Sequence, residues 1–195
     1  MFFNFSANTG YLWKEHNFLD RIKLVKKYKF QSIEFHDEPH FEDLSVLTKL
    51  LSEVALPVNT MNVSMGKSFG CAAISDRISD AQKDIDEAVV IAEEIGAKAL
   101  HFLAGTVEQN TENFNTFVLN LNYALNNSSL MIVIEPVCDE QLHGYFLNNL
   151  LQAAHVLDAV GNPRLKILFD CYHVLKQSGE LVENFTAFVD QIGHV

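Results

Sequence analysis

Short apolar runs alternate with longer amphipathic stretches along this chain, and no other feature of the sequence restricts the fold as much. Each run has four to seven residues rich in Val, Ile, Leu or Phe, which is typical of strands buried on both faces of a parallel sheet. Successive runs start 25 to 42 residues apart, about the length of a strand followed by a helix. The predicted strands are Phe2–Ala7, Ser32–Phe35, Pro57–Val63, Ala99–Ala104, Met131–Val137 and Leu165–Phe169.

Helical periodicity occupies the segments between these runs. Asp43 is placed to cap the second predicted helix, and Gly96 is placed to end the third. Six consecutive strand–helix units predict an α/β fold with a parallel sheet, either doubly wound or closed as a (β/α)₈ TIM barrel. The predicted helices are Phe18–Tyr28, Leu44–Val54, Ala81–Ile95, Phe114–Leu125, Tyr145–Val160 and Leu181–Ile192.

Sequence motifs distinguish between these two folds. Neither GxGxxG after the first strand nor GxxxxGK[ST] occurs, so we expect no nucleotide cofactor. Polar residues instead follow the carboxyl ends of the predicted strands, where a barrel enzyme assembles its site. They are Asn8, Glu34, His36, Asn59, Asn62, His101, Glu135, Asp170 and His173. This distribution favours the barrel and predicts a small-molecule substrate.

The length of the chain bears on how much of a barrel it can form. A complete barrel takes about 250 residues, whereas this chain has 195. We therefore expect residues 1–195 to form one incomplete barrel domain, with six strand–helix units and the start of strand seven at Gly193–Val195. Open edges on the first and last strands would leave either an open, partly collapsed sheet or a sheet that pairs with a second copy of the chain, and mass action favours the pairing at high concentration. This predicts a homo-oligomer whose contact includes Phe2–Phe5 and Gly193–Val195.

Composition excludes several classes of function. The 14 Lys and Arg against 25 Asp and Glu give a net charge of −11, and without a basic stripe this argues against nucleic-acid binding. The sequence contains no apolar stretch of about 18 residues, so it predicts no membrane span. The amino end lacks the features of a signal peptide, and we therefore expect a cytoplasmic protein. Cys71, Cys138 and Cys171 form neither a disulfide framework nor a zinc pattern. We expect them to be packing residues.

Glu135 is the first candidate for chemistry because it ends a fully apolar strand. An isolated charge is costly to bury, so this carboxylate is expected to be paired or bound to a metal ion. Pro136 then turns the chain away and leaves the carboxylate at the mouth of the barrel. The alternative is a strand-end glutamate that forms a salt bridge with a neighbouring loop.

Asp170 and His173 form an Asp-x-x-His pattern on the end of strand six and its loop. Their oxygen and nitrogen donors suit Mg²⁺, Mn²⁺ or Zn²⁺, and with Glu135 one strand earlier they predict a two-carboxylate metal site. The alternative is an Asx turn at Asp170 with His173 as a partly buried polar residue.

The remaining histidines allow two interpretations. His101 lies within a buried strand and is either a core histidine or a polar group that faces substrate. Glu135 and Asp170 on the next two strands favour the second interpretation. His36 and His40 are predicted to belong to a solvated turn, with substrate contact as the less favoured alternative.

These residues stand in stretches that resemble the hydroxypyruvate isomerase family, within the xylose-isomerase-like barrels. The resemblance covers essentially all 195 residues in order. Its strongest stretches are Ile134-Glu135-Pro136 with Tyr145-Phe146-Leu147, and Phe169-Asp170-x-x-His173 with Gly179-Glu180-Leu181. Further matches are Phe5-Ser6-Ala7-Asn8, Ile33-Glu34-Phe35, Met61-Asn62-Val63, Leu100-His101-Phe102-Leu103-Ala104-Gly105 and Ile192-Gly193-His194-Val195.

The resemblance implies an isomerase that interconverts hydroxypyruvate and 2-hydroxy-3-oxopropanoate, or a related small hydroxy-carbonyl acid or sugar, through an enediolate. It implies that Glu135 is a catalytic acid/base and a metal ligand, and that Asp170 is a second ligand. His173, His101 and Asn8 would contact substrate. The implied cofactor is a divalent metal ion, Mg²⁺ or Mn²⁺, acting as a Lewis acid. The family also has a metal-binding Gln and a second catalytic Glu, which would follow Val195.

Two other functions remain open from the sequence. One is a metal-dependent phosphodiesterase of the apurinic-endonuclease type on the same barrel, which the negative charge disfavours. The other is a catalytically inactive, truncated barrel protein, which would account for the absence of a second catalytic glutamate within residues 1–195.

Overall fold

Seven parallel strands form one curled sheet in the computed structural model, which describes residues 4–195. The strands follow one another across the sheet in chain order. Sequential parallel strands with intervening helices are the arrangement of a TIM barrel, and the incomplete barrel predicted from the sequence is confirmed. The strands are β1 (Ser6–Asn8), β2 (Ser32–Phe35), β3 (Val58–Asn62), β4 (Ala99–Phe102), β5 (Met131–Ile134), β6 (Leu165–Leu168) and β7 (Ile192–His194).

Helices connect consecutive strands. The first five bury an apolar stripe each, as Phe18, Ile22 and Val25 of the first helix show. Within the described residues, no helix is both long and apolar enough to cross a membrane. The helices are α1 (Phe18–Lys27), α2 (Leu44–Val54), α3 (Ile78–Glu94), α4 (Thr111–Asn127), α5 (Leu150–Val160), α6 (Cys171–Ser178) and α7 (Leu181–Phe188).

Strand register determines which polar residues become neighbours. Asn8 of β1 pairs with Glu34 of β2, and Asn62 of β3 pairs with His101 of β4. The β4–β5 pair, in register from Ala99 to Phe102, is buried along most of its length. Polar side chains at the carboxyl ends of neighbouring strands are therefore held side by side above an apolar core.

Two helix predictions were wrong in part, and one helix was not predicted. The predicted helix from Tyr145 begins only at Leu150, because Asn149 caps it by accepting a hydrogen bond from the Gln152 N–H. An additional helix, α6, follows Asp170 directly, where the sequence was interpreted as a loop. The last predicted helix ends at Phe188, and after one 3₁₀ turn the chain enters β7 at Ile192.

Two strand predictions also need correction. The first strand is Ser6–Asn8 rather than Phe2–Ala7, and Phe2 and Phe3, with the edge contact predicted there, lie outside the described residues. Asn59 lies near the start of β3 rather than at its carboxyl end. Its side-chain N–H donates to the Ser32 hydroxyl at 2.9 Å, and its side-chain carbonyl accepts from the Lys98 ammonium. Asn59 therefore stabilises the sheet at the amino ends of the strands, away from the cavity.

Candidate active site

A cavity of about 370 Å³ opens at the carboxyl ends of the strands. Nearly all of the predicted strand-end residues line it, and within residues 4–195 the lining contains no Lys or Arg. Its polar lining residues include Asn8, Glu34, His36, Asn62, His101, Glu135, Asp170, His173 and His194.

Glu135 lines this cavity, directly after β5. Its Oε2 is 3.5 Å from Nε2 of His101, and its Oε1 is 3.8 Å from Nε2 of His173. Burial, and then the negative charge of nearby Asp170, raise the pKa of Glu135 to about 8. This carboxyl group can therefore both hold and release a proton near neutral pH.

Asp170 uses its two oxygens differently. Its Oδ1 caps α6 by accepting the backbone N–H groups of Tyr172 at 2.7 Å and His173 at 3.2 Å. Its Oδ2 lies 3.9 Å from Nε2 of His173, which is on the first turn of the helix. Asp170 thus both caps α6 and brings its second oxygen close to His173. His173 belongs to this helix rather than to the predicted loop.

Glu135, Asp170 and His173 could hold a metal ion. Each offers one donor atom, and the three atoms lie within 4.8 Å of one another. Burial lowers the pKa of His173, so its neutral imidazole can present a lone pair. The two carboxyl groups repel each other when both are ionised, and a divalent cation would remove that repulsion. The residues therefore fit a hard or borderline divalent ion.

His101 is buried behind Glu135 rather than exposed to the cavity mouth. Its Nδ1 donates a hydrogen bond to Oδ1 of Asn62 at 3.1 Å, which leaves the lone pair of Nε2 directed at Glu135. Within the described residues Nε2 has no hydrogen-bond partner. Burial, and then the nearby His36 and His194, lower the pKa of His101 to about 3. A neutral imidazole therefore faces the carboxyl group.

The opposite side of the cavity carries Asn8 and a second glutamate, Glu34, which is buried. The Asn8 Oδ1 accepts the backbone N–H of Gly10 at 2.9 Å, which fixes the amide at the edge of the cavity. Oε2 of Glu34 is 3.1 Å from Nε2 of His194, a contact that joins β2 to β7 across the curled sheet.

The prediction of a solvated turn at His36 and His40 was wrong. His36 lines the cavity, where its ring packs edge-on against Tyr11 with centroids 4.6 Å apart. A Cβ on Gly10 would lie 2.3 Å from this ring, so any larger residue at position 10 would displace the ring. His40 is partly buried, with Nε2 3.3 Å from the Asn62 carbonyl oxygen. The β2 loop thus folds over the site rather than into solvent.

Among the lining residues that sequence reasoning did not assign to the site are Tyr145 and His194. Tyr145 was placed in a helix, but it is buried in a loop, where its hydroxyl oxygen accepts the Ala104 N–H at 2.9 Å. His194 follows the same strand-end pattern as the other site residues, and that pattern could have indicated it. The prediction of all three cysteines as packing residues also needs correction, because Cys171 is exposed whereas Cys71 and Cys138 are buried.

Comparisons with known proteins agree with this fold. Residues 22–195 match the family described as Xylose isomerase-like TIM barrel. The hydroxypyruvate isomerase of Escherichia coli (strain K12) is 30% identical over 201 residues, which cover 98% of this chain and 78% of the relative. The 2-oxo-tetronate isomerase of Cupriavidus necator is 28% identical over 201 residues, covering 98% and 77%.

A solved structure gives the same result at the level of the fold. The crystal structure of an AP endonuclease, family 2, from Brucella melitensis superposes with a TM-score of 0.94 at 26% identity, covering 98% of this chain and 78% of the other. The barrel and its polar cavity define an enzyme that acts on a small molecule, and the relatives make it an isomerase-type enzyme. The chain belongs to the xylose isomerase-like TIM barrel family.

Proposed function

We propose that this enzyme interconverts hydroxypyruvate and 2-hydroxy-3-oxopropanoate, or a related small hydroxy-carbonyl acid or sugar. The observation that carries the proposal is the setting of Glu135, whose pKa is raised to about 8 by burial and by the charge of Asp170. A carboxyl group with a pKa near the working pH is suited to proton transfer. The isomerase names of the relatives supply the reaction class.

Glu135 is the proton carrier in this proposal. In its ionised form it removes the proton from the substrate carbon that bears the hydroxyl group, which gives an enediolate. A proton returns to the neighbouring carbon, and the hydroxyl proton moves between the two oxygens. The reaction is an internal exchange that needs no oxidant or reductant. His101, fixed by Asn62, faces Oε2 of Glu135 and restricts the carboxyl group to one orientation.

Glu135 and Asp170 are the residues that would hold a divalent ion, Mg²⁺ or Mn²⁺, with His173 Nε2 at the same point of the cavity. When bound, such an ion acts as a Lewis acid that offsets the negative charge developing on the substrate oxygens. The amide of Asn8 and the imidazoles of His173 and His101 are the proposed substrate contacts.

Solvent exchange tests this proposal. Hydroxypyruvate is incubated with the protein and Mn²⁺ in D₂O, and deuterium at the carbon beside the carbonyl is followed by NMR. We expect incorporation with the wild-type chain and loss of it with Glu135→Gln. Glu87→Gln, an exposed carboxylate on α3, is the matched control and retains exchange. Equal exchange in both variants would remove Glu135 from the mechanism.

A phosphodiesterase is the second candidate, because the Brucella relative is described as an endonuclease and a carboxylate–imidazole cluster also suits metal-assisted hydrolysis. The net charge of −11 opposes approach to a phosphate backbone. Retention on heparin at low salt, together with cleavage of abasic DNA, would favour this candidate over the isomerase.

A further inference from the structure

Cys138 contacts the side of the His173 ring that faces away from the carboxylates. Its Sγ lies 3.3 Å from Nδ1 of His173, and both side chains are buried. The other ring nitrogen, Nε2, lies 3.8 Å from Glu135 Oε1 and 3.9 Å from Asp170 Oδ2. The ring thus lies between a thiol and two carboxyl groups.

We propose that Cys138 is a positioning residue that holds the His173 ring with Nε2 directed at Glu135 and Asp170. The proposal rests on the proposed function in placing His173 in the reacting site. A histidine near a metal or substrate is oriented by the hydrogen bond of its other nitrogen. Within the described residues, the Cys138 thiol is the hydrogen-bond partner of His173 Nδ1.

The chain geometry supports this role. Cys138 is three residues after Glu135 on the same loop, so the segment that positions the carboxyl group also positions the thiol against α6. Without the thiol, Nδ1 would be buried with no partner, which is unfavourable. A half-turn of the ring about its χ2 angle would then place the carbon Cε1, instead of Nε2, against the carboxyl groups.

A thiol differs from the usual carboxylate or carbonyl partner because it can both donate and accept, although weakly. When Nδ1 carries the proton it donates to Sγ, and Nε2 has a lone pair for a cation. When Nε2 carries the proton, the thiol donates to Nδ1, and Nε2 can donate to a substrate oxygen. Cys138 therefore keeps the ring in place in both tautomers.

Cys71 provides a matched control for this proposal. It is also a buried free thiol, but its Sγ lies 3.7 Å from Asp84 Oδ2, and it does not line the large cavity. Replacing it removes a similar volume from the interior and leaves His173 untouched.

The test uses the full chain, free of metal and labelled with ¹⁵N-histidine. NMR of the ring nitrogens reports the tautomers of His173, and EPR of free Mn²⁺ reports the affinity for Mn²⁺. We expect Cys138→Ala to change the His173 ring signals and to weaken Mn²⁺ binding about 10-fold. Cys138→Ser, which keeps a donor and an acceptor, should restore both, and Cys71→Ala should change neither.

The proposal is overturned if Cys138→Ala and Cys71→Ala give the same His173 signals and the same Mn²⁺ affinity as the wild-type chain. If Cys138→Ala does not fold, Cys138→Val, which fills the space with apolar atoms, replaces it in the same comparison. Neither measurement requires substrate. If the wild-type chain does not isomerise hydroxypyruvate but Cys138→Ala still alters the His173 signals and weakens Mn²⁺ binding, the proposed function is contradicted and the positioning role is still supported.

Discussion

Glu34, which is buried, and Glu135, which is largely buried, both lie at the carboxyl ends of strands, and their environments shift their pKa values in opposite directions. Burial alone would raise the pKa of Glu34, but the hydrogen bond and charge of His194 outweigh it and the pKa is lowered. Burial and the charge of Asp170 act together on Glu135 and raise its pKa to about 8. Glu34 therefore remains ionised near neutral pH, whereas Glu135 exchanges its proton there.

The difference teaches that position at a strand end does not by itself make a carboxylate catalytic. Burial acts on both carboxyl groups, and the neighbouring group determines the direction of the pKa shift. An imidazole 3.1 Å away stabilises the charge on Glu34, whereas a second carboxyl group, that of Asp170, opposes the charge on Glu135. Pairs of titratable groups whose environments separate their pKa values are typical of acid/base sites.

The largest expected effect is a difference in activity between variants of the two glutamates. Glu135→Gln removes the proton carrier and should lower kcat/KM by about 10²–10⁴-fold. Glu34→Gln keeps the proton carrier and should lower kcat/KM by no more than about 10-fold through altered packing of the cavity. Steady-state kinetics with hydroxypyruvate measure both. Equal losses in the two variants would contradict the distinction.

The second prediction concerns the source of the raised pKa. Asp170→Asn removes the negative charge beside Glu135, so the pKa of Glu135 should fall toward its ordinary value. The same change removes a proposed ligand and should weaken Mn²⁺ binding about 100-fold. Calorimetry with Mn²⁺ and a carboxyl ¹³C NMR titration check the two effects. An unchanged Glu135 titration would show that burial alone raises the pKa.

The third prediction is a pH dependence of the free energy of unfolding. The pKa of Glu135 is about 8 in the folded chain and 4.5 ordinarily, so the folded state binds the extra proton between these values. Its contribution to stability is complete below pH 4.5 and is lost as the pH rises through 8. The pKa of His101 is about 3 in the folded chain and 6.5 ordinarily. Its contribution to the free energy of unfolding therefore increases as the pH rises, and it changes only below pH 6.5.

The useful window is therefore pH 6.5 to 8. At about 1.4 kcal/mol per pH unit, metal-free wild-type protein should lose about 2 kcal/mol across it relative to Glu135→Gln. Urea denaturation in EDTA at both pH values measures this difference. Parallel pH profiles of the two proteins would contradict the raised pKa of Glu135.

The smallest expected effect concerns the contact across the sheet. His194→Gln weakens the hydrogen bond to Glu34, so the pKa of Glu34 should rise and the free energy of unfolding should fall by about 1 kcal/mol. His143→Gln is the control, since His143 pairs with Asp139 on the exposed surface, where such pairs contribute little. A loss as large in the control would mean that the contact across the sheet has no special role.

The sequence predicted β2, β4 and β5 well because each is an apolar run that is buried along most of its length. It predicted Glu135, Asp170 and His173 because polar residues stand out at the ends of such runs. It missed α6 because this helix has only eight residues and starts immediately after the β6 segment. It extended the fifth helix to Tyr145 because that apolar segment is buried as a loop over the cavity. The Glu34–His194 contact joins residues 160 positions apart and follows only from the curvature of the sheet.

The most direct test of this account is a ¹³C NMR titration of the glutamate carboxyl groups in the metal-free chain, with Glu34→Gln and Glu135→Gln to assign the two signals. We predict that the Glu135 signal titrates with a pKa near 8, and that the Glu34 signal titrates below its ordinary value of 4.5. Titration of both carboxyl groups in the ordinary range would contradict the claim that only Glu135 is set to carry a proton.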